Sequence, residues 1–182
     1  QRGVLMLCNH VSWLDIFVID AIAPARFIAK ADIRGWPLIG ALCAGNGTLF
    51  IDRGRRHAVH AMLQQMARAL TDGDRVAVFP EGTTGDGSTL LPFHANLVQA
   101  AITAQAPVLP VVLRYRDARG VRARAVEFIG DDTFARSLWR VLGARGLSVD
   151  LHVLAPIAAG PGANRHALTE RAHAAMLAMF DD

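Results

Sequence analysis

Apolar residues along the chain fall into short unbroken runs and one long helical stripe, which together predict alternating strands and helices. Val4-Leu5-Met6-Leu7-Cys8 is wholly apolar and stops at Asn9-His10, the pattern of a strand buried on both faces of a parallel sheet. Ile16-Phe17-Val18-Ile19 continues to Ala23 before Pro24, which predicts a first helix. Further strands are expected over 26–30, 47–53, 75–79 and 108–115. Between the second and third of these, Val59, Met62, Leu63, Met66, Ala67 and Leu70 fall at i, i+3, i+4, i+7, i+8 and i+11. That stripe predicts a core-packed helix over 55–71. The glycine-rich stretch 80–88 reads as a long loop, followed by a helix over 95–104. Strands over 121–129 and 147–154 are expected to flank a helix over 134–142. A last helix over 164–180 would bury Leu168, Ala172, Ala175, Met176 and Met179.

Strand, helix and strand in this order imply right-handed parallel crossovers. The expected fold class is α/β, with a largely parallel central sheet flanked by helices. At 182 residues, with no internal repeat and no low-complexity linker, the whole of 1–182 reads as one domain.

Composition narrows the function classes. Hydrophobic residues make up 52% of the chain and the mean hydropathy is +0.27, high for a domain surrounded by water alone. A membrane surface or a lipid ligand is therefore expected, with Trp36 in the apolar stretch 36–42 as an interfacial anchor. The net charge of +3 suits phosphates or anionic headgroups. One Tyr and no dense basic stripe argue against nucleic acid. Cys8 and Cys43 sit apart among apolar residues with no metal-type spacing, so they read as buried free thiols and no metal site is expected. No run reaches the roughly 18 apolar residues of a spanning helix. Because the sequence starts at Gln1, almost in a core strand, an N-terminal membrane anchor preceding it is an expectation.

The chemistry concentrates at predicted strand ends. His10 and Asp15 are five residues apart, which on a continuous helix separates them by about 140°. They meet only if His10 lies in a loop and the helix starts near Ser12 as its N-cap. The Asp15 carboxylate would then accept the Nδ1 proton and leave Nε2 as a general base for a hydroxyl. Amides at the start of the helix after Ser12 are expected to serve an oxyanion. Asp52-Arg53 and Glu81-Gly82-Thr83 end two other strands, and in a parallel sheet such ends converge on one edge. Arg53, with Arg55 and Arg56, offers donors suited to a phosphate. No Gly-x-Ser-x-Gly elbow occurs, which argues against a serine hydrolase. The glycine-rich loop lacks both G-x-G-x-x-G and the Walker lysine, which argues against a nucleotide site.

These clusters resemble the PlsC-like glycerolipid acyltransferases, which include 1-acylglycerol-3-phosphate O-acyltransferase. Four family blocks stand in order: Asn9-His10 to Asp15 as the H-x4-D block, Gly47 to Arg53, Phe79-Pro80-Glu81-Gly82-Thr83, and Val108-Leu109-Pro110-Val111. The resemblance implies transfer of an acyl group from acyl-CoA or acyl carrier protein to the free hydroxyl of a lysolipid such as 1-acylglycerol-3-phosphate. It implies His10 as the base, Asp15 as its orienter, and Arg53, Glu81, Gly82 and Thr83 at the acceptor's polar head. No permanently bound cofactor is implied, and the expected place is the cytoplasmic face of the inner membrane. Two departures bear on the acceptor. Thr84 stands where members acting on lysophosphatidic acid often carry a basic residue, and His94 where a lysine is common. Both point toward lyso-ornithine lipid or another lysophospholipid. A lipid-binding domain without activity is the rival class.

Overall fold

In the computed structural model, the described residues are 3–30, 35, 40, 45, 47–51 and 56–180. Among them lie six strands, β1 Val4–Cys8, β2 Arg26–Lys30, β3 Leu49–Ile51, β4 Arg75–Val78, β5 Val108–Arg116 and β6 Ser148–Val153. The helices are α1 Leu14–Ile22, α2 Arg56–Thr71, α3 Gln99–Ala104, α4 Phe134–Gly143 and α5 Arg165–Leu177. The strands form a single sheet in the order β3-β2-β4-β1-β5-β6. Every pairing is parallel except β5 with β6. This is the expected α/β architecture.

Strand alternation divides the core into two layers. Leu5 and Leu7 of β1, with Val76 and Val78 of β4, point to the side where α2 packs Met62, Met66 and Leu70. Met6, Cys8 and Ala77 point the other way, onto Ile16 and Ile19 of α1 and toward Phe134, Leu138 and Val141 of α4. The central strands are thus covered on both faces, which is why they read as unbroken apolar runs. Gly3 admits β1 to this stack. A Cβ there would lie 2.2 Å from the Asp74 carbonyl oxygen and 2.7 Å from that of Leu70.

Several expectations are corrected. Helix α1 starts at Leu14, and Trp13, not Ser12, occupies its cap position without a side-chain cap bond. The 95–104 helix opens as a 3-10 turn, Ala95–Val98, before α3. No strand forms over 121–129. The segment makes one bridge, Arg116 with Arg122, and then a 3-10 turn, Arg124–Val126. Beyond Val111, where β1 leaves β5, the Asn9 side chain takes the amide and carbonyl of Leu113, and the returning segment meets β5 at Tyr115 and Arg116. In α5, Ala175 is exposed and Thr169 takes a place on the buried face, its hydroxyl satisfied by the Arg165 carbonyl at 2.7 Å. Asn164 caps that helix by accepting from the His166 and Ala167 amides.

Candidate active site

The register of the central strands places the site. Leu7 pairs with Val78, so β1 and β4 end side by side and release their loops together at the carboxyl edge of the sheet. β5 pairs with β1 only as far as Val111 and Cys8, then runs on to Arg116. That overhang forms a wall beside the loop after β1.

His10 and Asp15 meet as their spacing requires. His10 Nδ1 and Asp15 Oδ2 are 2.8 Å apart, with the histidine side chain 20% exposed and the aspartate fully buried. A carboxylate only accepts, so the neutral ring carries its proton on Nδ1 and keeps a lone pair on Nε2. The same Oδ2 accepts the Val11 amide at 2.8 Å and the Ser12 amide at 3.0 Å. The other oxygen, Oδ1, accepts the Tyr115 hydroxyl at 2.7 Å. Four donors converge on one buried carboxylate, which suits a retained negative charge. Burial and the neighbouring Asp15 charge hold the Tyr115 phenol far above its ordinary range, so it stays a donor.

This arrangement revises the expected helix start. The Val11 and Ser12 amides end on Asp15, and the Asp15 amide ends on the Ser12 carbonyl at 3.2 Å, so these three are unavailable to an oxyanion. Ser12 Oγ is buried and has no hydrogen-bond partner, so His10 does not activate it as a nucleophile. The Cys8 thiol is buried too, and desolvation pushes it well above the ordinary thiol range.

Glu81 clasps the two loops. Its Oε1 accepts the His10 amide at 2.7 Å and its Oε2 accepts the Leu91 amide at 2.9 Å. Its pKa is raised by burial, against which these two hydrogen bonds and the nearby His10 act. The Gly85 amide returns a bond to the His10 carbonyl at 2.7 Å. The His10 ring stacks on Phe79 with centroids 3.9 Å apart. Asn9 closes the floor, donating to the Leu113 carbonyl at 3.0 Å and accepting its amide at 2.7 Å. Every anchor of His10 except Asp15 therefore comes from a segment remote in sequence.

Of the remaining expected residues, Gly82 turns with φ +73, and a Cβ there would lie 3.0 Å from the His94 ring. Thr83 is exposed beside it. Thr84 donates its hydroxyl to the Phe128 carbonyl. Arg53, Asp52 and Arg55 lie outside the described residues, as do segment 36–39 with Trp36 and segment 41–44 with Cys43. Glu81 thus accepts hydrogen bonds from loop amides, a role open to it from sequence, whereas Tyr115 was missed; the one available signal was that Tyr115 is the chain's single tyrosine.

Comparison with known proteins follows the same blocks. The profile of the acyltransferase family matches residues 1–114. The chain belongs to the acyltransferase family. It is 37% identical over 181 residues to the 1-acyl-sn-glycerol-3-phosphate acyltransferase of Neisseria gonorrhoeae, covering 100% of this chain and 71% of that protein. It is 42% identical over 182 residues to the lyso-ornithine lipid O-acyltransferase of Pseudomonas aeruginosa, covering 99% of this chain and 69% of that protein. The crystal structure of the 1-acyl-sn-glycerophosphate acyltransferase PlsC from Thermotoga maritima shares the fold, with a TM-score of 0.69 at 22% identity. That match covers 100% of this acyltransferase chain and 66% of the PlsC chain.

Proposed function

We propose that this acyltransferase moves a fatty acyl group from acyl-CoA or acyl carrier protein to the free hydroxyl of a lysolipid such as 1-acylglycerol-3-phosphate. The observation that carries the reading is the His10–Asp15 pair, with a buried carboxylate holding Nδ1 and Nε2 left to accept. His10 Nε2 takes the acceptor's hydroxyl proton as that oxygen attacks the thioester carbonyl. The C–S bond breaks, and the departing thiolate receives the proton back from the imidazolium. No acyl-enzyme and no permanently bound cofactor take part. Base catalysis of this kind contributes about 10²–10⁴-fold, with positioning supplying more. Asp15 sets the tautomer, and Glu81 holds the loop on which Gly82 and Thr83 meet the acceptor's polar head together with Arg53.

A second acceptor, lyso-ornithine lipid, is favoured by the relative from Pseudomonas aeruginosa. It is favoured also by Thr84, which stands where a phosphate-binding base is common and whose hydroxyl is committed to Phe128. Residues 1–182 are taken as one acyltransferase domain working at a membrane, on the cytoplasmic face of the inner membrane. Among the described residues no helix is long and apolar enough to cross one.

A thiol-release assay over a panel of lysophosphatidic acid, lyso-ornithine lipid and other lysophospholipids tests the reading. Release that depends on acceptor and is lost in His10→Ala of unchanged Tm is the expected result. Wild-type-like transfer by His10→Ala removes the mechanism. No release with any acceptor leaves a lipid-binding domain.

A further inference from the structure

Helix α4 has two apolar sides, and the protein covers one of them. Phe134, Leu138 and Val141 pack on the core. Positions 135, 139 and 142 share another side, roughly 100° round the helix. There Trp139 is 74% exposed and Leu142 66%. Arg136 follows on the next strip, beside a cleft of about 390 Å³ that holds Arg124, Arg136, Arg140 and the exposed Ile129. Asp132 in that cleft is paired with Arg140, and Glu127 with Arg122. Arg124 and Arg136 make no ion pair with the other described residues, and Asp131 is the remaining carboxylate there. Arg145, just beyond the helix, is exposed as well.

We propose that this face of α4, Trp139 and Leu142 with Arg124, Arg136 and Arg145 along its flank, is where the domain docks on an anionic lipid surface. The inference rests on the lysolipid acceptor proposed above, since such a molecule resides in a bilayer. Indole and leucine side chains suit the headgroup–acyl boundary, while guanidinium groups beside them match lipid phosphates. Charge separates this occupant from a second copy of the chain. A symmetric pair would set the same unpaired arginines against one another, whereas anionic headgroups supply the charge they lack. The face is also tied to the chemistry. The Trp13 indole N–H donates to Ser137 Oγ at 3.0 Å, and the Trp13 and Phe134 rings meet at 5.1 Å and 72°. Trp13 stands three residues after His10, so the docking helix is fastened to the loop that carries the base.

Flotation with phosphatidylglycerol or phosphatidylcholine vesicles tests the proposal on the wild-type chain, Trp139→Ser/Leu142→Ser and Arg124→Glu/Arg136→Glu. The wild type is expected to float with phosphatidylglycerol. The apolar pair should cut the bound fraction about tenfold or more, and the charge pair should remove the preference for the anionic lipid. Both variants should keep the wild-type Tm and thiol release with a water-soluble short-chain lysolipid, yet lose release with an acceptor embedded in vesicles. A wild type that stays unbound overturns membrane association and the docking face together. Variants that float like the wild type overturn the face alone. A Trp139-dependent dimer in sedimentation without flotation assigns the face to a second copy and overturns the lipid proposal. Flotation as expected, with no thiol release from any acceptor, upholds the face while removing the proposed function.

Discussion

The two loops that leave β1 and β4 face each other across the site, both held by long-range bonds, and differ in burial: the first is almost wholly buried and the second keeps exposed positions. The loop after β1 is anchored from far along the chain: His10 to Glu81, Asn9 to Leu113, Asp15 to Tyr115 and the Val11 carbonyl to the Phe128 amide. The loop after β4 is held at its two ends by Glu81 and by the bond from the His94 amide to the Pro80 carbonyl. Its tip adds the Gly85 amide to the His10 carbonyl, the Thr84 hydroxyl to the Phe128 carbonyl and Arg122 on Asp86, yet Thr83, Ser88 and Thr89 there are exposed. A base must be held within a fraction of an ångström, whereas a headgroup rim gains from being open and easily varied. On the function proposed above, the first loop would carry the reaction and the second acceptor choice.

Asp15→Asn breaks the comparison most severely. An amide turns an NH2 toward donors that the carboxylate accepts, so the wrong tautomer of His10 is favoured. Turnover should fall by about 10²–10⁴-fold, read as kcat in the thiol-release assay, with a lowered Tm. Tyr115→Phe is the milder test of the same anchoring. It strips one charge-assisted bond from a buried oxygen and should cost about 1.5–3 kcal/mol of stability. In denaturant melts and kinetics, kcat is expected to fall severalfold with KM unchanged. A raised KM with normal kcat would place Tyr115 at the acceptor instead.

Across the site, Thr83→Ala should do the reverse, leaving Tm alone while shifting KM among acceptors by a few fold. The smallest effect belongs to Asp86, whose pKa is lowered to about 2 by hydrogen bonds from Ser88 and by Arg122. A depressed carboxylate stabilises the fold above its ordinary value of 3.8 and loses that contribution as pH falls through about 2. The group is largely exposed, so Asp86→Asn should only flatten the acid limb of Tm against pH, with activity near neutrality intact.

Much of this was legible from residue order. An unbroken apolar run and a period of 3.6 separate β1 from α2, because a strand covered on both faces buries every side chain while an amphipathic helix buries one stripe. The expected strand over 121–129 failed for a reason no local pattern carries: the Asn9 side chain occupies the β5 edge at Leu113, and the segment meets β5 at Tyr115 and Arg116. Trp36 drew attention as an interfacial anchor from sequence. The exposure of Trp139 emerged only once α4 was packed, because its stripe of apolar residues is wider than the core it covers.

By itself the sequence determined the element types, the buried runs and the five-residue spacing that brings His10 to Asp15 across a loop and a helix start. Those are short-range properties, set by local geometry and the alternation of apolar and polar residues. The tertiary structure alone decided that Glu81 meets the His10 amide, that Tyr115 reaches Asp15, and that α4 turns a tryptophan outward. Each depends on which strands become neighbours and how far one overhangs another, and sheet order is a long-range choice that no single segment encodes.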